Sequence, residues 1–432
     1  MSDKITRAAA VPDIEQQTVK RVIWRILPFL IVCYLIAIID RGNIGMASLQ
    51  MNEDLGLSKA VFGLASSLFF VGYFLFEVPS NLAMQKIGAK IWISRIMQCG
   101  NAVRAALSVG RRRSRLLSGR DPLSDLLDSG EISRARDCDF MVAIPAANFI
   151  GSPISGAILT MDGWFGLRGW HWLFIIEGFP AIVLGVLAFF LLSNRPENAH
   201  WLTSEQRNWL SGKLAEENAQ RKAIGHITLW QLLRHKHIWV MALIYAGASA
   251  AGSTLSVWSP QLLKSFGLDN FTTGLMNAIP YGLASILMIV WGRSSDRSGE
   301  RRWHTALTLF LIAGGLLAAF LTDTLAGSVV ILSLVLIGAY SMKGPFWALA
   351  SGWMSSTTAA AGLAAIGAMA NLIGGGLMVN VYGIINEKTG SHAMAMIPLA
   401  LLCAAGGIAV LLMGRSKKLH VEAEQPVAST GK

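Results

Sequence analysis

Ten long apolar segments constrain the fold of this chain more than any other feature. A membrane-spanning helix needs about 20 consecutive, mostly apolar residues. Only 15% of the residues are charged, whereas soluble domains carry about 25%. The pattern therefore predicts an all-α, multi-pass membrane protein, with spans near 22–48, 59–84, 141–161, 171–193, 237–262, 272–292, 304–323, 327–350, 358–385 and 393–414.

The connecting segments indicate how the chain is oriented. Basic residues cluster in the connection 194–236, in the loop 293–302 and in the tail after the last span, whereas acidic residues occupy the opposite loops. Because basic loops stay on the cytoplasmic side, both termini are expected in the cytoplasm, with the chain in the cytoplasmic (inner) membrane. The excess of 37 Lys and Arg over 26 Asp and Glu then reflects topology, and we expect no nucleic-acid partner.

The polar connection 194–236 divides the chain into two parts. We expect an N-terminal helical bundle at 1–193, a cytoplasmic linker at 194–236, and a C-terminal bundle with a short cytoplasmic tail at 237–432. Six apolar runs follow the linker and only four precede it. Two bundles of six helices therefore predict twelve spans, of which the third and fourth are damaged or missing as the sequence stands.

The window 98–140 is where these two spans are expected. It carries six Arg and one Asp between Arg104 and Asp121. At roughly 3 kcal/mol for each charge at mid-bilayer, about 20 kcal/mol opposes a crossing. If the codons of this window are back-translated and read one base later, they can encode an apolar span, a turn and a basic loop. The shifted sequence then runs directly into the written chain at Phe140. We interpret the window as a frameshift; the alternative is a genuine cytoplasmic insertion in a ten-span protein.

Polar side chains inside the first two spans are candidates for function, because such groups are costly unless they are paired or face water. Arg41 can hold a carboxylate by a two-pronged contact, and Asp40 can exchange a proton as its hydration changes. A pair at the outer interface is the alternative for these two residues. Tyr73 and Glu77 lie four residues apart, hence on one helix face. Tyr73 can donate to a substrate oxygen, and Glu77 is either a second buried acid or a packing partner.

The second half offers fewer candidates. Trp347, Ser351 and Asn371 lie in segments rich in glycine and small residues, which suit helices that pack closely or bend around a solute. Substrate contact and plain packing both remain open for these three residues. Asp296 and Arg297 lie in a short basic loop between spans. This loop either gates an exchange between two conformations or simply sets the topology.

Several kinds of chemistry find no motif in the sequence. It contains no GxxxxGK[ST] loop, no HExxH and no Ser/His/Asp arrangement, so we expect neither ATP hydrolysis nor enzymatic activity. The four cysteines lack paired spacing. We therefore expect no metal and no cofactor.

The motifs taken in order resemble the anion:cation symporter branch of the major facilitator superfamily. They are DRGNIG (40–45), GYFLFEVPSNL (72–82), GWHWLFIIEGFPA (169–181), RPENAHWLTSEQR (195–207), GRSSDRSGERR (292–302), GPFWAL (344–349) and NLIGGG (371–376). The resemblance implies the major facilitator fold and proton-coupled uptake of organic anions. It assigns coupling and binding to Asp40, Arg41, Tyr73 and Asn371, and adjacent Asn43 joins our binding candidates.

The chain departs from that family at two places. The family's fourth span has the form RFLLGxxEAGFFPG and supplies a binding Arg and a titrating Glu. The written chain lacks both, and the shifted reading frame restores them. Gly367 also replaces an Asn that is common in the family, which puts the identity of the substrate in doubt.

The function predicted on these grounds is secondary active transport of a small organic anion by alternating access. Tartrate or a related hydroxy-dicarboxylate is preferred, and sugar acids such as galactonate or glucarate and aromatic acids are the alternatives. Protons are favoured over sodium as the coupling ion, the lipid bilayer is the other partner, and a monomer is expected. The rival classes are a solute sensor without net transport and an inactive product of a frameshifted gene.

Overall fold

A computed structural model describes residues 3–87, 133–191, 197, 199, 201–223, 235–354 and 359–413. Side chains are described for these residues except 3–13, 73, 76–87, 133–140, 214–223 and 359–361. Most of the anomalous window 98–140 lies outside the described residues. The frameshift therefore stays a prediction.

The described chain is built from α-helices. In chain order they are α1 (Asp3–Asp54), α2 (Lys59–Ile87), α3 (Ser133–Leu159), α4 (Gly169–Leu191), α5 (Ser204–Ala223), α6 (Lys236–Lys264), α7 (Asn270–Ser298), α8 (Arg302–Ala318), α9 (Leu325–Ser341), α10 (Lys343–Trp353), α11 (Ala359–Asn371), α12 (Val379–Thr389) and α13 (His392–Leu412). A short 3-10 turn at Trp164–Gly166 precedes α4, and a π-helical turn at Leu372–Met378 joins α11 to α12.

The lengths and composition of these helices confirm the prediction of an all-α membrane fold. Within the described ranges, eight helical segments are long and apolar enough to cross a bilayer. Two shorter apolar helices, Lys59–Gly72 and Arg302–Ala318, accompany them. Together these segments coincide with the ten apolar runs of the sequence.

The first helix is longer than its apolar run. α1 extends over 52 residues, so the polar N-terminal residues continue the helix instead of preceding it. Its polar part packs on the linker, where the Arg21 guanidinium donates to Gln206 Oε1 at 3.2 Å and Val22 packs with Ala199 and Leu202. The connection 194–236 thus contains a helix of its own, α5, that is held against α1.

Two spans of the C-terminal half depart from a regular α-helix at mid-length. Met342 separates α9 from α10 but keeps helical backbone angles, and the Phe346 N–H donates to its carbonyl at 3.0 Å, so the span continues through it. In the π-helical turn, Gly374 lies so close to α6 that a Cβ there would come within 2.7 Å of the Ala250 nitrogen. The π-helical turn thus contains the consecutive glycines that allow this close approach.

We call the described helices before the linker, α1–α4, the N-terminal half, and those after it, α6–α13, the C-terminal half. Within the C-terminal half, α8 packs on α13, α7 on α9, and α6 on both α11 and α13. Within the N-terminal half, α1 packs on α3 and α4. Three helix pairs make the most contact between the halves: α3 with α7, α2 with α12, and α1 with α6. The π-helical turn and α11 also contact α2.

Candidate functional site

The two halves meet tightly at one end of the molecule, which we call the closed end. It is the end at which the loops 55–58, 160–168, 265–269 and 390–391 lie. Glycine lets the backbones touch at each of the three helix pairs. A Cβ on Gly45 would lie 2.5 Å from the Ser256 carbonyl oxygen, and one on Gly156 would lie 2.8 Å from that of Asn270. The halves are therefore in direct backbone contact at the closed end.

Hydrogen bonds join the same end of the two halves. The Lys59 ammonium donates to Asn386 Oδ1 at 3.2 Å, and the backbone N–H of Ala60 donates to Glu387 Oε2 at 2.6 Å. The carboxylate of Glu387 thus lies at the N-terminus of α2, where the helix dipole favours negative charge. These contacts hold α2 to α12.

Deeper in the molecule, a buried chain of three polar residues bridges α3 to the C-terminal half. Ser259 donates from its hydroxyl to Asn277 Oδ1 at 2.7 Å, and Asn277 Nδ2 donates to Ser152 Oγ at 3.0 Å. All three residues are buried. Since buried polar groups need partners, this chain fixes the register of α3 against α6 and α7.

A small cavity lies beside this chain and takes its walls from both halves. The N-terminal half supplies α1 and α3, and the C-terminal half supplies α6 and α7. Its lining residues are Ile39, Gly42, Met46, Ala147, Asn148, Gly151, Ser152, Ser155, Ser256, Pro260, Asn277 and Tyr281. Polar groups are thus concentrated between the halves.

A cluster of buried polar groups lies in the N-terminal half next to this cavity. The Glu177 side chain is 7% exposed, and Ser155 Oγ donates to its Oε1 at 2.7 Å. Asn43 is fully buried beside Glu177, yet neither of its amide atoms makes a hydrogen bond of good geometry within the described residues. Half-buried Asp40 is close enough to Glu177 to interact electrostatically. Two acids and an amide therefore lie close together in the N-terminal half.

The position of Arg41 follows from the contacts of its own helix face. Arg41, Gly45 and Ser48 are spaced i, i+4 and i+7, which places them on one face of α1. Gly45 touches the α6 backbone, and Ser48 Oγ accepts a hydrogen bond from Gln261 Nε2 at 2.8 Å. The exposed residue Arg41 therefore lies on the face that turns toward the C-terminal half, one helical turn further from the closed end. At 1.5 Å per residue it is about 20 Å from the helix end at Asp54.

The candidate binding residues of the C-terminal half lie on α10, which holds Trp347 and Ser351, and at the end of α11, which holds Asn371. The Trp347 ring is 4.8 Å from that of Tyr245, which also stacks on Phe346 at 5.0 Å. Asn371 Oδ1 accepts from Ser249 Oγ at 3.0 Å. Ser351 is exposed, and its hydroxyl donates back to its own helix, to the carbonyl of Ala348 at 3.1 Å. Trp347 and Asn371 are thus held by α6, whereas Ser351 is not.

The remaining predicted residues lie apart from the cavity. The structure corrects the loop expected at 293–302: Asp296 and Arg297 lie in the last turn of α7, and only 299–301 connect it to α8. Asp296 accepts from Arg301 Nη1 at 2.6 Å, and Arg297 is exposed. Tyr73 and Glu77 are on α2, and their side chains lie outside the described residues. A gating role for Asp296 and Arg297 and a binding or coupling role for Tyr73 and Glu77 remain predictions.

The structure adds residues that the sequence did not single out as site residues. Glu177 was visible as a charge in an apolar run, and so was Lys343. Asn277 and Ser152 carried no such signal, because their partners are distant in sequence.

Two helical halves that meet at one end around a polar space define a class: membrane transporters built from paired bundles. The chain belongs to the Major Facilitator Superfamily, whose family model matches residues 140–379. This membership confirms the resemblance found in the sequence. Since the members of this family are transporters, it also confirms that the chain is not an enzyme.

Relatives with printed names extend over nearly the whole chain. A protein of Agrobacterium vitis named "Putative tartrate transporter" is 38% identical over 95% of this chain and 94% of its own length. A "Quinolone resistance transporter" of Acinetobacter baumannii is 32% identical over 96% of this chain and 100% of its own length. Among solved structures, an inward-facing bacterial homologue of the human lysosomal transporter Spinster has a TM-score of 0.70 at 14% identity, covering 90% of this chain and 96% of that one.

Proposed function

We propose that the protein is a proton-coupled transporter that takes up tartrate or a related hydroxy-dicarboxylate by alternating access. The observation that carries the proposal is the placement of Arg41, on the α1 face that continues into contact with the C-terminal half. A guanidinium there can hold a carboxylate between the halves. The Agrobacterium vitis relative, which carries tartrate in its name, supports the choice of substrate.

With both termini in the cytoplasm, as the basic loops predict, the closed end faces outward. The contacts of the closed end must then separate for the outside to gain access to the cavity. Asp40 and Glu177 are the proton-accepting candidates in the described N-terminal half, because two neighbouring acids in a buried pocket favour sharing a proton over both being charged. If each substrate enters with one proton more than its own negative charge, each transport cycle moves one net positive charge. Uptake then responds to the membrane potential, at about 2.3 kcal/mol per charge per 100 mV.

Uptake of labelled tartrate into proteoliposomes with an imposed pH gradient tests the proposal. We expect accumulation only when the outside is more acidic, and no response to a sodium gradient. Arg41→Gln is expected to weaken apparent affinity roughly 10- to 100-fold, since it removes a charged hydrogen-bonding partner. Arg168→Gln is the matched control, because that guanidinium pairs with Asp54 and Asp162 in a loop at the closed end.

Asp40→Asn separates coupling from binding. If Asp40 carries the proton, this variant exchanges tartrate for tartrate across the membrane but no longer accumulates it against a gradient. Equal gradient dependence in Asp40→Asn and the parent would remove Asp40 from the coupling mechanism. Uptake with no gradient dependence in the parent would end the symport claim.

Competition by unlabelled solutes decides between the alternative substrates. Galactonate, glucarate, an aromatic acid and a quinolone, each added in excess, rank the candidates against tartrate; the quinolone is included because of the Acinetobacter baumannii relative. Binding of tartrate without any exchange or uptake would favour a sensor.

We also propose that the window 98–140 arises from a frameshift. The family model begins to match at residue 140, where this window ends, which supports the proposal. Resequencing the DNA across codons 95 to 142 is the test, followed by assay of the frame-restored chain beside the written one. Transport by the restored chain alone identifies the written chain as an inactive product. The frameshift is contradicted if resequencing confirms the written reading frame and the written chain transports the solute.

A further inference from the structure

Lys343 is a charged residue in the middle of an apolar span. It is the one charged residue between Leu325 and Trp353, a described segment long and apolar enough to cross a membrane. At 1.5 Å per residue its Cα is about 27 Å along the helix axis from the first of these residues and about 15 Å from the second. An ammonium group at such a depth is unfavourable unless it faces a partner or a wet cavity.

The described residues give Lys343 an aromatic partner and no carboxylate. Its Nζ lies 4.5 Å from the centroid of the Tyr340 ring. Among the described residues, no Asp or Glu carboxylate lies within ion-pairing distance of its Nζ. A cation–π contact attracts the ammonium but leaves its net charge in place. Lys343 therefore keeps an uncompensated positive charge in the described part of the protein.

Tyr340 connects this charge to the space between the halves. Its ring centroid is 6.2 Å from that of Tyr281, and Tyr281 lines the cavity. Ile39 and Gly42 of α1 also line the cavity, and Arg41 lies next to them in sequence. Lys343 therefore approaches, through two aromatic rings, a space whose α1 wall neighbours Arg41.

The Lys343 side chain has room to adjust. At the neighbouring Gly344 a Cβ would meet nothing within 4 Å, so the surroundings of this part of the helix are open. The flexible four-carbon stem of lysine can carry the ammonium from the Tyr340 ring toward an anion that enters the cavity.

We propose that Lys343 is a second anion-binding residue, so that the site takes a solute with two anionic groups, one held by Arg41 and one by Lys343. The inference rests on the proposed transport function and narrows its substrate class. A dicarboxylate neutralises a cation on each half and links the halves. A monocarboxylate held by Arg41 leaves Lys343 without an anionic partner, which makes dicarboxylates the preferred class.

The test compares a dianion with a monoanion on purified full-length protein in nanodiscs. Affinities for tartrate and glycerate are measured by calorimetry for the parent and for Lys343→Met, which keeps an unbranched chain without the charge. We expect tartrate to bind roughly 10- to 100-fold more weakly to Lys343→Met, and glycerate to change by less than about 3-fold. Lys343→Arg should retain tartrate binding within about 5-fold, because it keeps the charge.

Lys264→Met is the matched control. The Lys264 ammonium donates to Asn270 Oδ1 at 2.9 Å at the closed end of α6, away from the cavity. We expect parent-like affinities for both solutes. Each variant is first checked for monodisperse elution, and Lys343→Gln replaces Lys343→Met if the latter misfolds.

The outcomes separate this inference from the proposed function. Tight tartrate binding that is unchanged by loss of the Lys343 charge overturns the inference and leaves tartrate transport standing. Dependence on Lys343 for another dicarboxylate, with no tartrate binding, overturns the tartrate preference and supports Lys343. A parent protein that binds no dicarboxylate, in its written or frame-restored form, overturns both.

Discussion

Gly156 offers a direct way to disturb the closed end. It lies on α3 where this helix crosses α7, and it is buried. A Cβ at this position would lie 2.8 Å from the Asn270 carbonyl oxygen and 3.2 Å from the Cα of Gly274. Both neighbouring atoms belong to backbone, so neither can rotate away. Gly156→Ala therefore forces the two helices apart by about 0.5 Å to restore an ordinary carbon–oxygen distance of about 3.3 Å.

Overpacking of this kind costs about 1 to 3 kcal/mol. Because the cost arises only when the closed end is shut, it shifts the equilibrium toward opening by roughly 5- to 150-fold. Gly292→Ala on α7 is the control, since a Cβ there meets nothing within 4 Å. Both substitutions gain the same helix propensity of about 1 kcal/mol, so that gain cancels in the comparison.

Distances between spin labels on exposed Thr160 and Ser265 report the opening. The labels are placed in a background without the four native cysteines. We expect Gly156→Ala to show a larger population of long distances than both the parent and Gly292→Ala. Identical distributions in all three proteins would refute the idea that backbone contact between α3 and α7 limits opening.

Three further predictions follow from individual contacts. Asn277→Leu leaves the buried hydroxyls of Ser152 and Ser259 without their partner, which should lower stability by about 1 to 3 kcal/mol in thermal unfolding, and an unchanged melting temperature would contradict it. Glu387→Gln weakens the hydrogen bond from the Ala60 N–H, so α2 and α12 should separate more often. A cysteine introduced into the loop 55–58 should then react with a thiol label faster than the same cysteine in the parent. Asp269 caps α7 by accepting from the Thr272 N–H, and these hydrogen bonds lower the pKa of its carboxyl below 3.8. A lowered folded pKa stabilises the protein above pH 3.8 and loses that effect as the pH falls further, so Asp269→Ala should lower the melting temperature at pH 7 and have little effect at pH 2.5.

The sequence predicted the helical architecture well because each apolar run is a local signal. The ten runs correspond to described apolar helices, and family membership confirms the fold class. The departures from regular α-helix inside two of the runs, at Met342 and at Leu372–Met378, were not predicted. Pro345 and the three glycines at 374–376 are visible as letters, but a proline or glycine can equally well lie within a continuous span when neighbouring helices satisfy the backbone.

The candidate site was only partly predictable. Asp40 and Arg41 stand out because charges are rare in apolar runs. The pairing of Ser155 with Glu177, and the chain from Ser152 through Asn277, depend on which helices become neighbours. Serine and asparagine are common in loops and helices alike, so no local pattern marks them. Lys343 carried the same kind of signal as Arg41 and gained weight only when the structure placed Tyr340 and Tyr281 between it and the cavity.

The chemistry of the closed end fits a contact that has to open repeatedly. Hydrogen bonds between polar side chains inside membranes contribute about 0.6 kcal/mol each on average. The pairs Ser48–Gln261 and Ser152–Asn277 therefore hold the helices by roughly 1 kcal/mol together. Moving a two-state equilibrium from 1:99 to 99:1 takes about 5.5 kcal/mol of differential binding. The charged groups Lys59 and Glu387 add single hydrogen bonds to uncharged partners at this end. Closure without a buried ion pair among the described residues therefore leaves the equilibrium within reach of a bound solute, whereas a buried ion pair would cost several kcal/mol to break.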